Sequence, residues 1–181
     1  TLFRSDARRF EEYLAAMDEA AEAGVSVLRV WLAPWWLPVE AEHGRYDQGA
    51  CARLDALLDH AEELGLKIVL CIEQHGNFQP EGGEIGLWPK HPYNSANSGP
   101  CRNVGEFFTS PEARRLFRNR LRYLVARVGH STALMAWELF NEVEWVPYRW
   151  GEQERHRQRV LAWHVEMARE LRRTDPFGHL V

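Results

Sequence analysis

Helical stripes and doubly apolar runs alternate along this chain. They predict an α/β fold with a parallel sheet, arranged as an incomplete (β/α)8 TIM barrel in one domain over residues 1–181. Three observations carry that expectation. Each short run carries apolar side chains on both faces, as a strand covered on both sides requires. Links from helix to strand are short, whereas links from strand to helix are long, above all 76–108. In a barrel the long links after the strands build the active site. A doubly wound sheet stays open as an alternative, although no G-x-G-x-x-G or G-x-x-x-x-G-K phosphate loop follows a strand.

Phe10, Tyr13, Leu14, Met17 and Ala21 recur at helical spacing, with Ser5 or Asp6 able to cap the start and Gly24 at the end. Val25 to Leu32 (VSVLRVWL) is the first strand run. Leu54, Leu57, Leu58, Ala61 and Leu64 form the next stripe, closed by Gly65, and Lys67 to Glu73 (KIVLCIE) is the second run. After the long loop, Thr109-Ser110-Pro111-Glu112 reads as a capping box with proline near the first helical position. The helix it opens carries Leu116, Phe117, Leu121 and Leu124. Ala133 to Phe140 (ALMAWELF) is the third run. Val160, Trp163, Met167 and Leu171 line a further helix, with Trp163 in the core, and 178–181 looks like the start of a fourth strand. A whole barrel takes about 250 residues, so 181 residues beginning on a helix at Thr1 and stopping in a strand read as an interior slice.

Composition is that of a globular protein, 45% hydrophobic and 27% charged. A net charge of −4 argues against a nucleic-acid groove or an anionic-membrane patch. No apolar run approaches the roughly 18 residues of a spanning helix. Neither nucleic acid nor membrane is expected as a partner. Three widely spaced cysteines (Cys51, Cys71, Cys101) fit neither a disulfide framework nor a zinc site. Eight tryptophans are the unusual feature. Trp35 and Trp36, between Pro34 and Pro38, suit a platform for the C–H faces of sugar rings, with one of the pair also packing. Trp88, Trp145 and Trp150 in long loops read the same way, and Tyr93 and Asn94 are placed to reach a substrate. Arg155, His156, Arg157 and Arg159, balanced by Glu152 and Glu154, read as a solvated helix face.

The chemistry concentrates in Trp137-Glu138-Leu139-Phe140-Asn141-Glu142-Val143. Strand alternation puts Glu142 on one face with Glu138 and Phe140, at the mouth of the barrel, where partial desolvation of a carboxyl favours its protonated form. Glu138, mid-run among apolar residues, needs a partner for its charge. Arg29 is the expected partner, although loop contacts would serve either residue equally well.

An Asn-Glu pair ending an apolar W-E-L-F run resembles the fourth strand of clan A glycoside hydrolases, with family 5, the cellulase and β-mannanase group, most similar. Leu28-Arg29-Val30 resembles that barrel's second strand, Glu73-Gln74-His75-Gly76-Asn77 the end of its third, and Thr174-Asp175-Pro176 with 178–181 the lead-in to its fifth. The resemblance implies that Glu142 is the general acid/base and that His75 lines the sugar site. It places Arg29 beside a nucleophilic glutamate that belongs to the seventh strand, outside these residues. Asn141 would hold a substrate hydroxyl, and Trp35 and Trp36 would bind sugar. Carbohydrate is then the substrate, no cofactor or metal is needed for retaining acetal cleavage, and a secreted or periplasmic location stays open. Two rivals stand beside this reading. One is a metal site built from Glu73, His75, Glu142 and Glu144, without the H-x-H pair of many barrel hydrolases. The other is a non-catalytic barrel remnant that binds carbohydrate through its tryptophans or does nothing.

Overall fold

The computed structural model describes residues 2–80, 86–146 and 153–181, with 2–8 and 153 by backbone alone. Trp150 and Glu152 lie outside the described residues. Elements run α1 (Leu2–Glu22), β1 (Val27–Trp31), α2 (Gln48–Leu64), β2 (Lys67–Cys71), α3 (Val104–Thr109), α4 (Pro111–Val128), β3 (Leu134–Glu138) and α5 (Gln153–Thr174). The strands form one parallel sheet in the order β1-β2-β3. Leu180 adds a parallel bridge to Ala136, where the next strand was expected to start. This is the barrel pattern: strand, crossover helix, neighbouring parallel strand.

Register sorts the side chains. Arg29 lies opposite Val69, and Trp31 opposite Cys71, which in turn faces Glu138. These residues share one face of the sheet. Val30, Ile68, Leu70 and Trp137 occupy the other and are buried against the helices. On the helical side Phe78, Phe107, Phe108, Phe117, Phe140 and Trp163 form one aromatic cluster. Its ring centroids lie 4.7 Å apart for Phe78–Phe107 and 4.8 Å for Phe117–Trp163. Such contacts contribute about 0.5–1.5 kcal/mol each beyond the area they bury. Trp163 is fully buried, as its helical spacing implies.

Several expectations change. The strands are shorter than the apolar runs, because each run continues into a bend that opens the loop. Past β2 the described residues hold 3-10 turns at His75–Phe78, Trp88–Lys90 and Ser95–Asn97 and then α3. Ser110 alone caps α4, its Oγ accepting from Ala113 N, while Glu112 turns to Arg115 instead of back to the cap. The chain therefore has the cap without its reciprocal half. Helix α1 begins ahead of Ser5 and Asp6, so neither marks its start. His156 is buried, against the reading of a wholly solvated basic face. Val25 just ahead of β1, Val27 at its start, and Phe177 and Leu180 near β3 are exposed.

Helix α2 shows how the local signals act. Asp47 accepts from Ala50 N at its start, and Gly65 closes it at φ 70°, donating to the Ala61 and Glu62 carbonyls. A Cβ at Gly65 meets nothing within 4 Å, so the cost of adding one is purely conformational. Gly65→Ala is expected to lower stability by about 1 kcal/mol, read as a shift of the denaturant midpoint at unchanged m-value.

Candidate active site

Beyond the strands the backbone stays laced. Ile72 N donates to Glu138 O (2.9 Å), Asn141 N to Glu73 O (2.8 Å) and His75 N to Asn141 O (3.2 Å). This lacing sets His75 and the Asn141-Glu142 pair side by side above the sheet. The chain then turns at Glu142, which adopts φ 52°, ψ 44°. A left-handed residue with a Cβ costs about 1–2 kcal/mol, and here the turn swings Glu142 Oε2 to 3.0 Å from His75 Nδ1. The approach is off-line, and Nδ1 has no aligned hydrogen-bond partner. The Glu142 side chain is 49% exposed, so the described residues supply little of the desolvation expected for it.

The turn also corrects the alternation. Phe140 does not share a face with Glu138 and Glu142. It packs on the helical side, 5.1 Å from Phe78 and 5.9 Å from Phe108 between ring centroids. The run stops being a strand at Glu138, so counting by twos past that point fails.

Below Glu142, Arg29 grips Glu138 with two prongs, Nε donating to Oε2 at 2.6 Å and Nη2 to Oε1. The same Nη2 reaches Asn141 Oδ1 at 2.6 Å, and the guanidinium stands 5.6 Å over the Trp31 ring. Hydrogen bonding to Glu138 pushes the Arg29 guanidinium above its ordinary value. Asn141 Nδ2 donates to Glu142 Oε2 at 3.4 Å. The polar chain runs Glu138–Arg29–Asn141–Glu142–His75. Asn141 is buried with both ends of its amide engaged inside the protein. It joins Arg29 to Glu142.

A second polar group, which the sequence reading missed, lies behind the first. Arg120 of α4 is buried and pairs with Glu73, donates to Ile72 O at 3.1 Å and stands 3.7 Å from Glu40. Asn77 Nδ2 donates to Glu73 Oε2 at 2.7 Å, and Tyr93 OH to Glu40 Oε2 at 3.3 Å. A signal existed: Arg120 sits three residues after Phe117 and four before Leu124, on the apolar stripe of its helix. Burial raises Glu40 and Tyr93 above their ordinary values and lowers His91 to about 4.

A cleft of about 380 Å³ opens over this group, walled by Leu32, Trp35, Pro38 and Leu87 with Glu73 and His91 among its polar lining. Trp35 is exposed on its rim, whereas Trp36 stacks on Tyr13 at 4.3 Å and so packs the first helix instead. Trp88 is buried against Phe78 and His91, which removes it from any platform. Trp145 is exposed. Tyr93 and Asn94 are buried too; Asn94 caps the 95–97 turn and donates to Trp88 O, so both hold the loop's own shape. Glu73, held by Arg120 and Asn77, stands apart from His75 and Glu142, and among the described residues no set of three acidic, histidine or cysteine groups could hold a metal ion.

No family model matches the chain. In sequence it is similar to mannan endo-1,4-beta-mannosidase 3 of Oryza sativa subsp. japonica, 28% identical over 99% of this chain and 38% of that protein. In structure it is similar to the endo-1,4-beta-D-mannanase of Thermotoga petrophila RKU-1, with TM-score 0.68, 20% identity, and coverage of 91% of this chain and 48% of that one. An exo-beta-1,4-mannosidase from Opitutaceae bacterium strain TAV5 superposes equally well, with TM-score 0.68, 22% identity, and coverage of 92% and 26%. The chain spans about two fifths of the length of the curated relatives it matches. The fold is that of part of a (β/α)8 barrel, and the resemblance to clan A glycoside hydrolases of the family 5 type holds in sequence and in fold.

Burial of His91 has a consequence for stability. Its folded value is depressed to about 4, below the unfolded value of about 6.5. Above about pH 6.5 the ring is neutral in both states and adds no pH dependence. As pH falls from there to about 4, the unfolded state takes up a proton the native state refuses, and stability drops by about 1.4 kcal/mol per pH unit. His91 Nδ1 accepts from Tyr93 N at 3.1 Å, a bond that an asparagine carbonyl can replace. His91→Asn is expected to remove this component, so the gap between wild-type and variant stability narrows on acidification across that window. Denaturant titrations at stepped pH measure it, and parallel curves would contradict the assignment.

Proposed function

We infer that this chain carries the acid/base part of a retaining glycosidase acting on β-linked polysaccharide or oligosaccharide, of the cellulase and mannanase kind. The mannan-cleaving names of its relatives favour β-mannan. The observation that supports this most is the placing of the Glu142 carboxylate at the sheet's open end. It stands between His75 and Asn141, with the Arg29–Glu138 pair beneath.

Cleaving an acetal requires a proton on the departing oxygen and an electron-rich group at the anomeric carbon. Glu142, half exposed at the sheet's open end, can give its proton to a glycosidic oxygen and later take one from water. That exchange is the acid/base role of a retaining mechanism. The carboxylate nucleophile, about 5 Å away in such enzymes, is assigned outside these 181 residues. Glu138 is ill suited to it, since Arg29 occupies both of its oxygens. His75 lies close enough to orient Glu142 or to meet a sugar hydroxyl. Arg29 sets a positive charge beside the reacting position through Asn141. Trp35 offers the exposed ring on which a sugar can stack, and its neighbour is committed to packing. Only proton transfer and a carboxylate are used, so no cofactor enters.

In the complete protein, Glu142→Gln should reduce kcat on β-1,4-linked oligosaccharide by about 10²-fold or more. An aryl glycoside with an activated leaving group needs less acid assistance and should lose far less. Equal losses on both would count against the acid/base role, and a wild type that binds but never cleaves would favour the carbohydrate-binding alternative. The two tryptophans separate in the same assay. Trp35→Ala should raise KM for oligosaccharide by roughly tenfold, the loss of one stacking contact, with little change in Tm. Trp36→Ala should instead lower Tm and leave KM of the folded fraction near wild type.

A further inference from the structure

Resting on the acid/base reading above, we propose that Gln74 is a positioning residue for His75 and Glu142, acting through a one-way relay of amide groups that starts at the buried Arg120–Glu73 pair. Glu73 forms an ion pair with Arg120, and a carboxylate so paired only accepts hydrogen bonds. Asn77 must therefore present its amino group, and Nδ2 donates to Glu73 Oε2 at 2.7 Å. That orientation leaves Asn77 Oδ1 to accept from Gln74 Nε2 at 2.7 Å. Gln74 Oε1 is then the atom that accepts from Gly76 N, again at 2.7 Å. Neither amide can flip without setting two acceptors or two donors face to face.

All three side chains are buried, where an unmatched polar contact costs about 1–3 kcal/mol. The relay ends on the N-terminal cap of the His75–Phe78 turn, whose first residue is His75. The Gln74 backbone meanwhile forms the bridge to Asn141, next to Glu142. The Gln74 amide is thus engaged at both ends within the protein, and it sets the turn that holds the His75 ring 3.0 Å from Glu142.

The polarity of the relay makes the role testable with an isosteric change. In Gln74→Glu the introduced carboxylate still accepts from Gly76 N but offers Asn77 Oδ1 no proton, and turning Asn77 over would set its oxygen against Glu73. When protonated, the introduced carboxyl can donate to Asn77 Oδ1 and restore the relay. Burial beside Glu73 favours that protonated form.

The experiment compares wild type, Gln74→Glu and Glu142→Gln in the complete protein. Each is assayed on β-1,4-manno-oligosaccharide and on an activated aryl β-mannoside from about pH 5 to 8. At the alkaline end Gln74→Glu should lower kcat on the oligosaccharide by about tenfold or more, as misplacing a catalytic group does. KM should stay near wild type, the aryl substrate should lose less, and the deficit relative to wild type should shrink toward acid. The ratio of the two substrates does not depend on the folded fraction, so partial unfolding leaves the test intact. Asn77→Ala, which breaks the relay without adding charge, should shift the same ratio. Wild-type substrate ratios at every pH in both variants would overturn the proposal. A wild type inactive on both substrates, or an undiminished Glu142→Gln, would overturn the acid/base reading and this inference with it.

Discussion

One buried guanidinium organises the functional end of this molecule. Arg120 reaches from α4 to the end of β2, where it meets Glu73, and toward the β1–α2 link, where Glu40 stands. Each of these charges loses several kcal/mol of hydration on burial, and their mutual attraction offsets this only while every partner stays in place. Glu73 therefore cannot move without exposing Arg120 to an uncompensated loss. Its own carbonyl accepts from Asn141, and its carboxylate orients Asn77. The ends of β2 and β3 are thereby tied to a helix, and the residues that face the cleft inherit that fixed frame.

The two acidic centres differ in the way their tasks require. Glu73 and Glu40 are buried, satisfied by several donors, and serve as anchors. Glu142 is half exposed and left-handed, and its near neighbour His75 meets it off-line. Backbone strain at such a place is stored where surrounding structure over-determines it. Here the parallel bridge between Gln74 and Asn141 supplies that constraint one residue earlier. The strain of the turn buys a carboxylate that stands free of the sheet and open to a substrate oxygen.

Much of this was legible in the residues. Glu138 in an apolar run demanded a cation, and Arg29, two strands away on the same face and one inward-facing position lower in register, supplies it. Doubly apolar runs and short helix-to-strand links gave the parallel sheet because those patterns follow from burial alone. The orientation of Glu142 was not legible by alternation, because alternation assumes extended backbone and the chain leaves it after Glu138. Tyr93, Asn94 and Trp88 looked available for a ligand because polar and aromatic residues in a loop do not reveal that the loop itself is their partner. Arg120 was visible on its helical stripe, yet only the fold brings Glu40 and Glu73 to it.

The central claim is that Glu142 is the acid/base of a retaining glycosidase, and chemical rescue tests it most directly. In the complete protein, Glu142→Ala is given an aryl β-mannoside whose leaving group needs no protonation, with and without azide. Azide attacks a glycosyl-enzyme intermediate without help from a general base. Azide should restore turnover to the disabled variant, and the product should be a mannosyl azide of retained β configuration. Turnover unchanged by azide, or an azide product of inverted configuration, would contradict the claim.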